Sequence, residues 1–410
     1  MLDARIINSR LKNYFEDFRD EIDHDESHLK KDWQEFYQKS FCTPRNSATE
    51  KLNDQLAIKI SGPQVRISDN VLILESLNDF VSDLVKEAFV IADKVPYDFL
   101  EDYYRLNFFP EEVLYINNIN NGDDLNTIID LYKNSRSSYI VAIGGGRTLD
   151  YAKYVTWRTG AILIAIPTSL ATHVYASPKI HALEPIKDHG YSMTINGDPA
   201  HLTLIDSMLM EHLLGIDKRL VFSGFGDIMA FINAKHDWKA GSENGKERYS
   251  PFVDKSIEFI IKVLENIDIE RSLSYWISDY VFIQCLLCHI TDWVGSAPAS
   301  GAEHLFAKCI EEEVDNLPLH GEVVALGVLI FCHIRGIDVD LVASLLNKFN
   351  ISNSLKDLKV NKNAVVKALS QSINFGISKG RYTLLNELEV SANFFEAVID
   401  QMLHKRLILE

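Results

Sequence analysis

One aspartate and two histidines in the second half of the chain have the chemistry to hold a metal ion. Asp227 follows Gly224-Phe225-Gly226, a pattern that predicts a turn, while His304 and His320 stand in the segments SGAEH and LHGE. A carboxylate and two imidazoles form a ligand set for one divalent metal and leave a coordination position open. Such a position can polarise a substrate oxygen. The three residues predict a metalloenzyme, although taken singly Asp227 could cap a helix and each histidine could be structural.

Three consecutive glycines, Gly144, Gly145 and Gly146, predict a phosphate-binding turn. They follow an apolar strand pattern and precede a helical pattern that contains Asp150. Backbone N–H groups at a helix start attract phosphate, and glycine permits close approach. The pattern is not the G-x-G-x-x-G fingerprint, so a plain tight turn is the alternative. Asp93, which ends an earlier strand pattern, could bind ribose hydroxyls and favour NAD over NADP, or could cap the next turn.

Composition narrows the classes of partner and compartment. The 410 residues carry a net charge of −17, which argues against nucleic acid or an anionic membrane surface as the main ligand. No run approaches the ~20 apolar residues of a membrane helix, and the N-terminus is too charged for a secretory signal. The five cysteines lack a framework spacing, and the CxxC at Cys285 and Cys288 lies in an apolar stretch typical of core packing. We expect a cytoplasmic protein that acts on a small molecule.

The hydrophobic pattern predicts three regions that would position these residues. Residues 1–57 show charged, amphipathic helical spacing, which predicts a helical extension. Residues 58–208 alternate short apolar runs with helical patterns, as in an α/β nucleotide-binding domain with a parallel sheet. Residues 209–410 contain helical patterns only and carry the three metal-ligand candidates. The expected fold is therefore an α/β domain followed by an all-helical metal-binding and substrate domain.

Residues 144–153, GGGRTLDYAK, match the G-G-G-x-x-x-D-x-x-K element of the iron-containing alcohol dehydrogenase superfamily. This superfamily includes glycerol dehydrogenase and, more distantly, dehydroquinate synthase. Further segments resemble the superfamily in the same order along the chain. Taken together, the series is most similar to the sn-glycerol-1-phosphate dehydrogenases. The segments are Pro167-Thr168-Ser169, Ser177-Pro178, Gly224–Asp227, Asp237-Trp238, Ser300–His304 and His320-Gly321-Glu322. The resemblance covers about residues 58 to 340.

The resemblance implies a site and a reaction. Asp227, His304 and His320 would bind one divalent metal, for which zinc is preferred and iron or nickel is known in relatives. Gly144, Gly145, Gly146 and Asp150 would line the NAD or NADP site, with Thr168 and Ser169 at the cofactor. The substrate pair would be sn-glycerol 1-phosphate and dihydroxyacetone phosphate, and the protein would form a homo-oligomer.

The segment after Pro167 departs from the family pattern. His173 and Val174 stand where glycerol-type relatives carry an aspartate and a glycine or other small residue. An imidazole can donate, accept or carry charge near neutral pH, whereas a carboxylate only accepts. We expect His173 to contact the substrate and to relay a proton, with a structural imidazole at the cleft edge as the alternative. The exchange leaves open which polyol phosphate is the substrate.

Two other functions fit parts of the sequence. A sugar-phosphate cyclase of the dehydroquinate synthase type would use the same fold, NAD and metal, but the lysine-rich pattern expected after the Pro-Thr strand is missing. A degenerate member that only binds or scaffolds would explain the altered Asp-Gly pair and the N-terminal extension. The intact aspartate and histidine set argues against this last alternative.

Overall fold

The computed structural model describes residues 5–6, 10–11, 13–17, 27–41, 71–77, 85, 87–103, 113–115, 122–181, 195–314, 318–388 and 392–410. Two compact units divide the chain. The α/β unit comprises Met1–Glu26, Trp33–Leu220 and Arg271–Cys288, and the helical unit comprises Ser27–Asp32, Val221–Glu270 and His289–Glu410. The predicted three-way division with boundaries after residues 57 and 208 stays a prediction.

A seven-stranded sheet forms the centre of the α/β unit, in the order β1-β2-β9-β6-β5-β3-β4. The strand β1 pairs antiparallel with β2, and the other six strands run parallel. A separate antiparallel pair consists of β7 and β8. The strand bounds are β1 Arg5–Ile6, β2 Val71–Leu74, β3 Phe89–Ala92, β4 Val113–Tyr115, β5 Tyr139–Gly144, β6 Ile162–Pro167, β7 Lys179–Ile180, β8 Ile195–Asn196 and β9 Leu202–Asp206.

The parallel sheet confirms the predicted fold class. Every residue of β3, β5 and β9 is buried, as expected for parallel strands covered by helices on both faces. The strand β1 lies inside the segment for which only helix was predicted. Two residues are too few to show the alternation that marks a strand, so this edge strand is defined by its pairing with β2 alone.

Fourteen α-helices have both ends within the described ranges, and α9 to α14 lie in the helical unit. Their bounds are α1 Ser27–Phe41, α2 Lys94–Tyr103, α3 Gly122–Asn134, α4 Gly146–Thr159, α5 Ser207–Ile216, α6 Arg219–Glu243, α7 Pro251–Asn266, α8 Leu273–Val294, α9 Ala302–Glu313, α10 His320–Arg335, α11 Val339–Lys348, α12 Lys362–Ser378, α13 Leu384–Glu387 and α14 Ala392–His404. In the α/β unit, α4 packs on β5 and β6, and in the helical unit α9 packs on α10 and α12.

The helix α8 combines length with high hydropathy. Among the described residues it is the one helix long and apolar enough to cross a membrane, but 83% of its most apolar window is buried inside the protein. Such burial is typical of a core helix rather than of a helix that faces lipid. Cys285 and Cys288 on this helix are buried, which confirms that the CxxC belongs to the core.

Candidate metal centre and cofactor turn

The three predicted metal ligands meet at one point in the helical unit. Asp227 lies on α6, His304 lies in the first turn of α9, and His320 is the first residue of α10. Nε2 of His304 lies 3.2 Å and Nε2 of His320 lies 3.9 Å from the same oxygen, Oδ1 of Asp227. One ligand atom from each residue lies within 4.8 Å of the other two.

This spacing fits a single divalent cation. In a tetrahedron with bonds of about 2.0–2.1 Å, the ligand atoms lie roughly 3.3 Å apart. The 3.2 Å between His304 and Asp227 lies close to that value, and the 3.9 Å between His320 and Asp227 is somewhat longer. Asp227 is 8% exposed, whereas the side chain of His320 is 37% exposed. The donor set is therefore anchored in the protein interior and accessible at one of its ligands.

Two glycines explain how ligands from different helices come so close. Gly226 precedes Asp227 on α6, and Gly321 follows His320 on α10. A Cβ atom on Gly226 would lie 2.2 Å from the carbonyl oxygen of Gly321, and one on Gly321 would lie 1.8 Å from the carbonyl oxygen of Ser223. Only hydrogen fits at either position, so the two backbones touch and carry the neighbouring ligands together.

The predicted turn before Asp227 is therefore wrong. Residues 224–226 lie inside α6, which continues without interruption from Arg219 to Glu243. Glycine is common in turns, but it also serves where two backbones approach closely, and a single sequence does not distinguish the two uses. At Gly226 the reason for glycine is the close approach of the α10 backbone and not a turn.

A carboxylate stands behind each histidine. Oε1 of Glu303 accepts a hydrogen bond from Nδ1 of His304 at 2.9 Å, and Oε1 of Glu311 accepts one from Nδ1 of His320 at 2.5 Å. Because an ionised carboxylate can only accept, both rings present Nε2 towards Asp227. Neither glutamate was among the predicted site residues. The Glu-His pair at 303–304 was the available indication, since metal-binding histidines commonly donate to a carboxylate.

These contacts set the electrostatics of the cluster. Burial lowers the pKa of His304, but hydrogen bonds to Asp227 and Glu303 outweigh burial and raise it to about 9. Burial acts to raise the pKa of Glu303 and of Glu311, yet the hydrogen bond and charge of the adjacent histidine lower each pKa overall. Because a histidine must be unprotonated to ligate, a cation held at Asp227, His304 and His320 would displace a proton from His304.

In the α/β unit, Asp93, Gly144 and Thr168 stand side by side at the carboxyl ends of β3, β5 and β6. The N–H of Asp93 donates to the carbonyl of Ile143 at 3.1 Å, and the N–H of Thr168 donates to the carbonyl of Gly144 at 3.0 Å. Oδ2 of Asp93 accepts from Oγ1 of Thr148 at 2.9 Å. Ligands of open α/β sheets bind at this edge. The structure thus brings these three predicted cofactor residues together.

The three glycines of the turn have different surroundings. A Cβ atom on Gly144 would lie 2.4 Å from Oγ1 of Thr148, and one on Gly146 would lie 3.0 Å from Oγ1 of Thr172. A Cβ atom on Gly145 would meet nothing within 4 Å. Gly145 is the N-cap of α4 and supplies no side-chain cap. Open space at the positive end of a helix fits the pyrophosphate of a dinucleotide.

Asp150 and Lys153 form a buried ion pair on α4. Their charged atoms lie 2.9 Å apart, and the residues are 3% and 2% exposed. Nζ of Lys153 also donates to the carbonyls of Val174, Ser177 and Lys179, at 3.2, 3.1 and 2.5 Å. The ammonium therefore holds the segment that follows His173. A contact between Asp150 and the cofactor stays a prediction.

We expect Lys153→Met to lower the free energy of unfolding by about 3–5 kcal/mol, because it leaves the Asp150 carboxylate buried without its cation. Guanidinium denaturation followed by circular dichroism measures the change. The exposed Lys133 on α3 offers the matched control, and Lys133→Met is expected to shift the value by about 0.5 kcal/mol or less. A variant at position 153 as stable as this control would show that the ammonium is dispensable.

His173 and Ser169 lie in the loop after β6. The carbonyl of His173 accepts from the N–H groups of Ala176 at 3.0 Å and Ser177 at 3.1 Å, so His173 opens a turn. The hydroxyl of Ser169 donates to the carbonyl of Leu220 at 2.7 Å and accepts from the N–H of Ala171 at 3.2 Å. The Ser169 side chain is thus engaged within the protein. Its contact with the cofactor and that of His173 with the substrate stay predictions.

Known proteins resemble this chain in sequence and in fold. The sequence model of the family described as iron-containing alcohol dehydrogenase matches residues 73–202. A glycerol-1-phosphate dehydrogenase (NAD(P)+) from Hyperthermus butylicus is 30% identical over 257 residues, which are 61% of this chain and 70% of that protein. One of the same name from Metallosphaera sedula is 29% identical over 270 residues, or 65% and 74% of the two chains.

Solved structures share the fold at lower identity. A probable glycerol dehydrogenase from Sinorhizobium meliloti superposes with a TM-score of 0.57 at 17% identity, covering 80% of this chain and 92% of that one. The sulfoacetaldehyde reductase from Bifidobacterium kashiwanohense, solved in complex with NAD+, gives 0.55 at 14% identity, covering 81% and 96%. At these identities the likeness shows the fold alone. The match to the relative from Hyperthermus butylicus shows more: this chain belongs to the iron-containing alcohol dehydrogenase superfamily, in the family of the glycerol-1-phosphate dehydrogenases.

Proposed function

We propose that this chain is a metal-dependent, NAD(P)-linked dehydrogenase that interconverts a small polyol phosphate and its ketone. The substrate pair is sn-glycerol 1-phosphate and dihydroxyacetone phosphate, or a close relative of that pair. The observation that carries this proposal is the convergence of Asp227, His304 and His320 within 4.8 Å of one another. Two imidazoles and one carboxylate fit a catalytic metal, since they leave a ligand position for substrate.

The metal ligands, the glycine turn and Asp93 each have a role in this reaction. Asp227, His304 and His320 hold the cation, and the turn at Gly144, Gly145 and Gly146 holds the pyrophosphate. Asp93 accepts from ribose hydroxyls, which is compatible with its position beside the turn. When bound, the cation supplies Lewis-acid polarisation of a substrate oxygen and the nicotinamide supplies or accepts hydride.

The names of the relatives support the choice of substrate and cofactor. The relatives from Metallosphaera sedula and Hyperthermus butylicus, which resemble this chain over about two thirds of its length, are both named glycerol-1-phosphate dehydrogenase (NAD(P)+). The intact ligand set agrees with a working member of the family rather than a scaffold. Zinc as the metal, a homo-oligomeric state and a cytoplasmic location complete the proposal.

A substrate panel tests the activity directly. The protein is stripped with a chelator, reloaded with zinc, and assayed for absorbance of the reduced nicotinamide with glycerol, both glycerol phosphates and dihydroxyacetone phosphate. We expect zinc-dependent turnover with sn-glycerol 1-phosphate and in reverse with dihydroxyacetone phosphate. Protein that binds zinc but gives no net change in reduced nicotinamide with any of these compounds would contradict the proposal.

We expect His173→Ala to lower kcat by about 100-fold, because a positioned proton donor or acceptor typically contributes at least that much. The measurement is steady-state kinetics with the best substrate of the panel. His212→Ala, at an exposed histidine in α5, serves as control and should keep kcat. Unchanged kcat and KM in the His173 variant would make this imidazole structural.

A further inference from the structure

We infer that Arg335, acting through Asn233 and Glu303, fixes which nitrogen of His304 faces the cation. These three are positioning residues, and the inference rests on the metal centre of the proposed function. Arg335 ends α10, Asn233 lies on α6, and Glu303 and His304 lie in the first turn of α9. Their polar atoms form one continuous chain of hydrogen bonds within the helical unit.

Glu303 is the central link and is completely buried. Its Oε1 accepts from Nδ1 of His304 at 2.9 Å and from the N–H of Gly301 at 2.6 Å, and its Oε2 accepts from Nδ2 of Asn233 at 2.6 Å. Two of these partners, the N–H of Gly301 and Nδ2 of Asn233, can only donate, and they face different oxygens. The site therefore calls for a group that only accepts, which an ionised carboxylate is and a carboxamide is not.

Asn233 has no freedom to turn its amide around. Its Oδ1 accepts from Nε of Arg335 at 3.0 Å, and its Nδ2 faces Glu303. A reversed amide would set an NH2 group against the guanidinium, which can only donate, and an oxygen against the carboxylate, which can only accept. Arg335 thus keeps the NH2 group of Asn233 turned towards Glu303, where it favours the ionised carboxylate that Nδ1 of His304 faces.

Asp237 keeps Arg335 in place. One carboxylate oxygen of Asp237 contacts the guanidinium and also accepts from the N–H of Leu384 at 2.7 Å. The other accepts from the N–H of Ala302 at 2.8 Å, at the start of α9. Asp237 is 1% exposed. The same carboxylate therefore holds the arginine and caps the helix that carries His304.

These hydrogen bonds determine which nitrogen of the metal ligand His304 faces Asp227. With Nδ1 of His304 donating to Glu303, Nε2 is the nitrogen that lies 3.2 Å from Asp227 and offers its lone pair to a cation. The other neutral tautomer would place an N–H bond at that point and repel the cation. The helix α10 thus contributes twice, with the ligand His320 at its first residue and the orienting Arg335 at its last.

The proposal is tested by zinc affinity and histidine NMR. In Glu303→Gln the new NH2 group must face either the Asn233 amide or the N–H of Gly301 together with Nδ1 of His304, so the acceptor that holds the His304 tautomer is weakened or lost. We expect the zinc Kd, measured by competition with a chromophoric chelator, to rise 10- to 100-fold. In protein labelled with 15N at its histidines and loaded with zinc, the Nδ1–H signal that His304→Gln removes should be present in the wild type and absent in Glu303→Gln.

Two further variants test the role of Arg335 and control for the loss of a carboxylate on α9. Arg335→Gln can accept as well as donate, so it frees the Asn233 amide without touching Glu303, and we expect a zinc Kd raised at least threefold. Glu312→Gln, on the exposed side of α9, should match the wild type. Wild-type zinc affinity in both folded variants at positions 303 and 335 would overturn the inference and leave the proposed function standing. A wild-type protein that takes up no zinc would overturn both.

Discussion

Asp227→Asn is expected to lower kcat/KM by about 1000-fold and to leave the fold intact. Asn has almost the same shape, but it removes the negative charge that Nε2 of both histidines approaches. A Lewis-acid metal contributes several kcal/mol to catalysis, and about 4 kcal/mol corresponds to a factor of 1000. Elemental analysis of dialysed protein should show the metal content falling well below that of the wild type, in parallel with activity.

A matched carboxylate separates this effect from a general loss of charge. Glu243 ends the same helix α6 and is exposed, so Glu243→Gln should retain both metal and activity. Treatment of the wild type with a strong chelator should reproduce the phenotype of Asp227→Asn, and added zinc should reverse it in the wild type only. Full metal content and full activity in the Asp227 variant would remove this residue from the ligand set.

Gly321→Ala should weaken both the fold and the metal site. The added Cβ would lie 1.8 Å from the carbonyl oxygen of Ser223, where real contacts are essentially never under 3.0 Å. Because this neighbour is backbone, α6 and α10 must move apart. Overpacking of this kind costs about 1–3 kcal/mol of stability. It also separates Asp227 from His320, and we expect the zinc Kd to rise at least tenfold.

A helical glycine in open surroundings provides the comparison. A Cβ atom on Gly215 of α5 would meet nothing within 4 Å, so Gly215→Ala should stabilise the protein slightly, by up to about 1 kcal/mol. Thermal unfolding and chelator competition on both variants give the two readouts. If Gly321→Ala melts and binds zinc like Gly215→Ala, the crossing of α6 and α10 does not set the ligand spacing.

Local patterns were enough to predict much of the fold. The strands β5 and β6 are nearly uninterrupted apolar runs, and the glycine triplet marks the junction of β5 and α4. A strand that is buried on both faces has a continuous run of apolar residues, so strand, turn and helix were each predicted. The three metal ligands were predicted from residue chemistry and family resemblance, and the structure brings them together in the helical unit.

The supporting residues could not be predicted in the same way. Asn233, Glu303 and Arg335 are distant in sequence, and their roles depend on which donor meets which acceptor after α6, α9 and α10 pack. The roles of Gly226 and Gly321 likewise depend on both residues, because each lets its helix approach the backbone of the other. Hydrophobic periodicity records which face of an element is buried, but it does not record where two elements cross.

The ammonium of Lys153 has a practical consequence for probing this protein in solution. It is 2% exposed and surrounded by the oxygen atoms of Asp150, Val174, Ser177 and Lys179. Amine-reactive reagents that modify surface lysines should therefore spare it for as long as the segment after His173 keeps its shape. Its acylation, followed by mass spectrometry, would report transient opening of that segment and its suppression by a bound dinucleotide.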